Sequence, residues 1–168
     1  SLLIERCRGN RQNLRNELDK IDSFIKNKKN INIDQIMKLT NLAENYNVSE
    51  LIDSYLAANF KKTINILNEN NFSIEDCMLI TRTLLVKSKR LYKLLLEINN
   101  NKSIEEAISS FNPPIFWKDK ETVKKQIKNW SLNRAENLIY KTNELELLIK
   151  KNSNNSINIL SDFIINQP

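Results

Sequence analysis

Chemistry that depends on histidine is closed to this chain, because none of its 168 residues is His. Ser-His-Asp and Cys-His activation and the paired histidines of zinc peptidases are excluded with it. A single glycine, Gly9, excludes the phosphate cradles as well. Both the P-loop and the dinucleotide fingerprint need several glycines so that backbone N–H groups can close on a phosphate. The remaining acid-base candidates are the carboxylate pairs Glu105/Glu106 and Glu144/Glu146. At such close spacing on a helix they point to different faces, and nothing beside them would separate their pKa values. Glu75 and Asp76 read as acids that suit the first turn of a helix. Cys7 and Cys77 lie far apart with no ligand-spaced partner, as expected of buried thiols in a reducing compartment. The sequence therefore predicts no catalytic, cofactor-binding or metal-binding residue.

The basic residues carry more signal. Lys and Arg number 26 against 20 Asp and Glu, a net charge of +6. Arg82, Lys89 and Lys93 share one helix face, with Lys87 and Arg90 beside it. A second cluster, Lys118, Lys120, Lys124, Lys125 and Lys128, lies between Trp117 and Trp130. Each group reads either as solvated surface or as a phosphate-contacting surface, with Arg82, Lys89, Lys93, Lys124 and Lys128 as the candidate DNA contacts. Phe116, Trp117 and Trp130 read either as core or as base-stacking platforms.

Elements that could position these residues follow from apolar periodicity and capping signals. Scarce Gly and Pro argue against hairpins and sandwiches, so the expected class is all-α. Leu14, Leu18, Ile21 and Ile25 mark a helix over about 11–26, with a shorter piece on each side, the second opening at Asn32-Ile33-Asp34. The polar stretch Asn45-Tyr46-Asn47-Val48-Ser49 reads as a boundary at which Ser49 starts a new helix. Beyond it the pattern predicts helices over about 60–70, 74–98 with a Ser73/Asp76 capping box, and 103–109. After the Pro113-Pro114 stop, helices are predicted over 121–130, 132–150 with Ser131 as N-cap, and 157–165. No fixed-period repeat appears, and no apolar run approaches the roughly 18 residues of a membrane span. The opening Ser1-Leu2-Leu3-Ile4 reads as a helix entered part-way, as in a piece of a longer protein.

Gly9-Asn10-Arg11-Gln12-Asn13-Leu14-Arg15-Asn16-Glu17-Leu18-Asp19-Lys20-Ile21 resembles the lid helix of the delta subunit of the bacterial DNA polymerase III clamp loader. The family pattern is Gly-Asp followed within a turn or two by Asn-Glu-Leu-Glu-Lys-Leu, so Asn10 departs from it. Gly9, Asn10, Arg15, Asn16, Glu17 and Lys20 are the matching lid positions, and Gly9 would sit at a bend that favours positive φ or close packing. Further matches follow in order: Ile31 to Leu39, Ser49-Glu50-Leu51-Ile52-Asp53-Ser54-Tyr55-Leu56, Pro113-Pro114-Ile115-Phe116, Trp130-Ser131-Leu132-Asn133-Arg134 and Glu146-Leu147-Leu148-Ile149-Lys150.

The resemblance implies a small three-helix AAA+ lid over 1–48 and a larger helical collar domain over 49–168. An N-terminal AAA+-like domain, which carries the family's clamp-binding element, would precede them. It further implies a bacterial cytoplasmic, non-catalytic part of the polymerase III holoenzyme, a nucleotidyltransferase complex, with no cofactor of its own. Its role would be to help load the sliding clamp onto primed DNA during replication. The collar would join the loader's ATPase and delta-prime subunits, the missing domain would reach the clamp, and DNA would be a further partner. Leu94, Leu96, Leu147 and Leu148 fall off the main apolar stripes and are the candidate subunit-interface positions, unless a second layer of the domain's own core covers them. The alternative reading is a free-standing helical domain that binds nucleic acid directly or acts as an adaptor.

Overall fold

The structure is a computed structural model. It describes Leu3, residues 11–26, Asn32, 35–36, 42–70 and 72–166. Every regular element among the described residues is helical: α1 Arg11–Ile25, α2 Leu42–Leu56, α3 Phe60–Glu69, α4 Ile74–Asn99, α5 Ile104–Ser109, α6 Lys120–Asn129, α7 Leu132–Lys151 and α8 Ser156–Asn166. Short 3-10 turns at Trp117–Asp119 and Ser153–Asn155 lead into α6 and α8. The chain divides into two compact units, Ser1–Asn47 and Val48–Pro168.

In the first unit α1 turns a slightly different face inward than its sequence suggests. Ile21 and Glu17 are buried and Leu14 and Phe24 half-buried, while Leu18 and Ile25 are exposed. The inward line is thus Leu14, Glu17, Ile21 and Phe24, which shelters a phenyl ring in place of the smaller Ile25 and so removes more apolar area from water. The exposed Lys20 pairs with Glu17 at 2.9 Å from the solvent side. The second helical piece opens on reciprocal bonds: Gln35 N–H donates to Asn32 Oδ1 at 2.8 Å, and Asn32 N–H to Gln35 Oε1 at 3.2 Å.

The expected boundary at 45–49 does not interrupt the chain's helical path. α2 runs through it, so Ser49 is a mid-helix residue and no N-cap. Asn and Ser cost a helix interior only a few tenths of a kcal/mol each. The apolar line Val48, Leu51, Ile52, Tyr55, all buried, outweighs that penalty.

The second unit is organised around α4, the longest helix. It packs along α7, with α8 laid against both, and it also meets α5 and α6. Contact with these four helices explains its wide buried face: Cys77, Ile80, Thr81, Leu84, Lys87, Ser88, Leu91, Leu94 and Leu95. Thr81 and Thr142, buried on α4 and α7, satisfy their hydroxyls on the carbonyls of Cys77 at 2.8 Å and Leu138 at 2.6 Å, a turn back along their own helices. The helix starts follow the capping signals. Ser73 with Asp76 and Ser103 with Glu106 form complete capping boxes, and Ser131 accepts from Arg134 N–H.

Helix ends are closed without glycine. After α2, Asn59 N–H reaches Ser54 O and Ala58 N–H reaches Tyr55 O, both at 2.9 Å, around Ala58 at φ 54. After α4, Lys102 N–H reaches Glu97 O and Asn101 N–H reaches Ile98 O around Asn101 at φ 67. Both are Schellman turns.

Candidate functional site

Three side chains at the end of α6 or just beyond it fasten the C-terminus of α2. Gln126 Nε2 donates to Asp53 Oδ1 at 3.2 Å, Asn129 Nδ2 to Ala57 O at 2.9 Å, and the Trp130 indole N–H to Leu56 O at 2.8 Å. With the Schellman bonds, every carbonyl from Asp53 to Ala57 has a partner, which is what a helix end inside a folded unit requires. Trp130 is buried, its ring 6.4 Å from that of Tyr55, and Arg134 stacks over it at 4.9 Å. Burial in this setting pushes the Tyr55 phenol up to about 12, with the Arg134 charge pulling weakly the other way.

One turn back along α2 lies a buried ionic centre. Lys87 Nζ of α4 pairs with Asp53 Oδ2 at 2.6 Å and donates to Ser49 Oγ at 2.7 Å and Ser49 O at 2.9 Å. Arg90 Nη2 stands 3.9 Å from the other Asp53 oxygen. The sequence reading put Lys87 and Arg90 beside the basic face of α4. The structure turns Lys87 into the core and half-buries Arg90. The signal was present, because Ile80, Leu84, Lys87 and Leu91 keep the three-four spacing of one stripe.

Of the candidate DNA contacts, Arg82, Lys89, Lys93 and Lys128 are exposed. Lys124 is not free: it bridges Glu121 at 3.1 Å and Glu105 at 3.5 Å, and the bond to Glu121 raises its pKa. The aromatic cluster splits. Trp130 belongs to the core, Phe116 is half-buried, and Trp117 is 68% exposed with the Lys118 ammonium 5.4 Å from its ring centroid.

Among the candidate interface leucines, Leu94 must be withdrawn. It is 0% exposed, buried in the unit's own core because α4 meets four other helices. Leu96, Leu147 and Leu148 are exposed. Of the lid positions, Arg15, Asn16 and Lys20 are exposed and Glu17 is buried, whereas Gly9 and Asn10 lie outside the described residues, as do Cys7, Ile33 and Asp34.

The paired carboxylates have structural work. The Ser103 backbone N–H and hydroxyl hold Glu106 below the usual carboxylate range, and Lys150 does the same for Glu146 at 2.7 Å. A general acid would need the opposite shift. The Cys77 thiol is buried, and burial raises its pKa against a smaller lowering by the Ser156 hydroxyl. Among the described residues no group of three or more His, Cys, Asp or Glu is placed to hold a metal ion. No described helix is long and apolar enough to cross a membrane. No family model, no curated protein and no solved structure matches this chain.

Proposed function

We propose that the chain is the lid and collar portion of a delta-type subunit of a bacterial clamp loader, a non-catalytic assembly part that helps load the sliding clamp onto primed DNA. The observation that carries the reading is the position of its motif residues in the second unit. Pro113-Pro114-Ile115-Phe116 leads into the 3-10 turn before α6, and Trp130-Ser131 forms the break between α6 and α7, with the indole holding α2. Leu147 and Leu148, within the last motif, stay exposed on α7, as an assembly surface requires. In this reading the loader's ATPase and delta-prime subunits dock on the second unit, and the sliding clamp is reached through the AAA+-like domain that such subunits carry N-terminal to the lid. Mixing the full chain with those two subunits should give one comigrating species on size exclusion, weakened by Leu147→Asp. Separate elution at micromolar concentration would sink the reading.

A second reading is favoured by Trp117, whose exposed ring and neighbouring Lys118 suit base stacking beside a phosphate. A free-standing nucleic-acid-binding domain would quench Trp117 fluorescence on adding oligothymidylate in a salt-dependent manner, without any loader subunit present.

A further inference from the structure

α4 carries a second line of residues opposite its core. Leu79, Arg82, Val86, Lys89, Lys93 and Leu96 follow one another at spacings of three and four, and all six are exposed. At 100° per residue they fall within about 100° of the helix circumference and extend over roughly 26 Å. This is the spacing of a coiled-coil seam, where alternate steps of three and four keep one stripe facing a partner helix.

Its chemistry is one-sided. Three positions are apolar, three are cationic, and none is acidic. The carboxylates of α4, Glu75, Asp76 and Glu97, lie beyond the two ends of the line; Asp76 is held by the Ser73 cap, and Glu97 is paired with Lys102 at 2.5 Å. On the neighbouring α7, Glu146 faces Arg82 but is held by Lys150 at 2.7 Å. The apolar members decide between classes of partner. Val86 is 67% exposed at the middle of the seam. A branched aliphatic side chain offers nothing to a phosphate and cannot stack on a base, so a nucleic acid would use the cations and leave Val86 in water. A helix with its own apolar stripe would cover Val86 and set its acids against Arg82, Lys89 and Lys93.

We infer that the outward seam of α4, Leu79 to Leu96, is a docking face for an acidic amphipathic helix of another protein. A seam of this length lies at the small end of specific interfaces, so micromolar affinity is the appropriate scale. The inference does not depend on the clamp-loader reading, since it uses no loader subunit and neither Leu147 nor Leu148; of the candidate interface leucines the seam shares Leu96 alone.

The probe is a synthetic 21-residue peptide with Leu at its a and d positions and Glu at its e and g positions, titrated onto the full chain by fluorescence anisotropy at physiological salt. The expected result is micromolar binding with a gain of helicity. Val86→Glu should weaken binding at least tenfold, and Lys89→Glu several-fold, while Lys125→Glu on α6, with the same change of net charge, should not. Circular dichroism melts of each variant keep a folding defect from being read as lost binding. No binding at hundreds of micromolar, equal loss from Lys89→Glu and Lys125→Glu, or retention of affinity by Val86→Glu would each overturn the inference. So would equally tight binding of the peptide with Lys in place of Glu. Oligonucleotide binding abolished by Lys89→Glu and untouched by Val86→Glu would reassign the seam to nucleic acid. Sedimentation showing a dimer of the chain that Val86→Glu dissolves would reassign it to a second copy.

Discussion

Lys87 of α4 and Asp53 of α2 meet at 2.6 Å inside the second unit, and both side chains are almost fully removed from water. Two charges in such a place are tolerable only because each is also hydrogen-bonded. Lys87 reaches Ser49 twice and Asp53 accepts from Gln126. The pair therefore acts less as a source of stability than as a register mark: it is satisfied when α2, α4 and α6 meet at one alignment.

Removing one partner should be far worse than removing both. Asp53→Ala leaves the Lys87 ammonium buried, and the expected loss is about 3–5 kcal/mol in urea unfolding. Asp53→Val combined with Lys87→Met stays close to the original volume and removes both charges. It should recover most of that loss, while broadening the transition if the register is no longer unique. A double variant as unstable as the single one would show that the ionic pair contributes net stability.

The helices of the second unit were legible because their signals agree with one another. Ser73, Ser103 and Ser131 open α4, α5 and α7, and Ala135, Leu138, Thr142, Leu145 and Ile149 give α7 its buried line. Two features depart from the sequence pattern for physical reasons. The Asn- and Ser-rich stretch before Leu51 looks like a loop by composition, yet α2 continues through it because Val48, Leu51, Ile52 and Tyr55 bury one face. Leu94 falls off the main amphipathic stripe of α4, whereas packing against four helices widens the interior face beyond that stripe. The Asp53–Lys87 pair joins residues far apart in sequence, and periodicity can place Lys87 inward without naming what it meets.

Alkaline pH should unfold the second unit partly through Tyr55. Its phenol is pushed up to about 12 by burial, so the folded state keeps a proton that the unfolded chain releases near pH 10. With fewer protons bound in the unfolded state, stability falls as pH rises. This contribution is fully present below pH 10 and is lost between about pH 10 and 12, amounting to at most about 3 kcal/mol. Tyr55→Phe should flatten the stability profile over that interval. An unchanged slope would show that Tyr55 does not carry the alkaline sensitivity.

The Cys77 thiol is buried and its pKa is raised chiefly by that burial. Thiolate is the reactive form, so both accessibility and ionisation are set against modification. In a Cys7→Ser background, labelling by a disulfide reagent at pH 8 should be at least ~100-fold slower in buffer than in denaturing urea, and should follow the opening of the fold. Rapid stoichiometric labelling of the native chain would mean that α4 and α8 separate readily near Ser156.

Ala58 sits at φ 54 in the turn that closes α2, a conformation in which its Cβ crowds the backbone. For an L-residue other than glycine this costs roughly 1–2 kcal/mol, part of which glycine returns as greater freedom in the unfolded chain. The turn is nevertheless held, because Asn59 and Ala58 N–H groups close the helix on Ser54 and Tyr55. Ala58→Gly should therefore stabilise the second unit by about 1 kcal/mol in urea unfolding. The gain at Asn101→Gly, where φ is 67, should be smaller, since asparagine tolerates the left-handed region better than alanine. A destabilised Ala58→Gly would show that the methyl group makes a contact worth more than the strain it imposes.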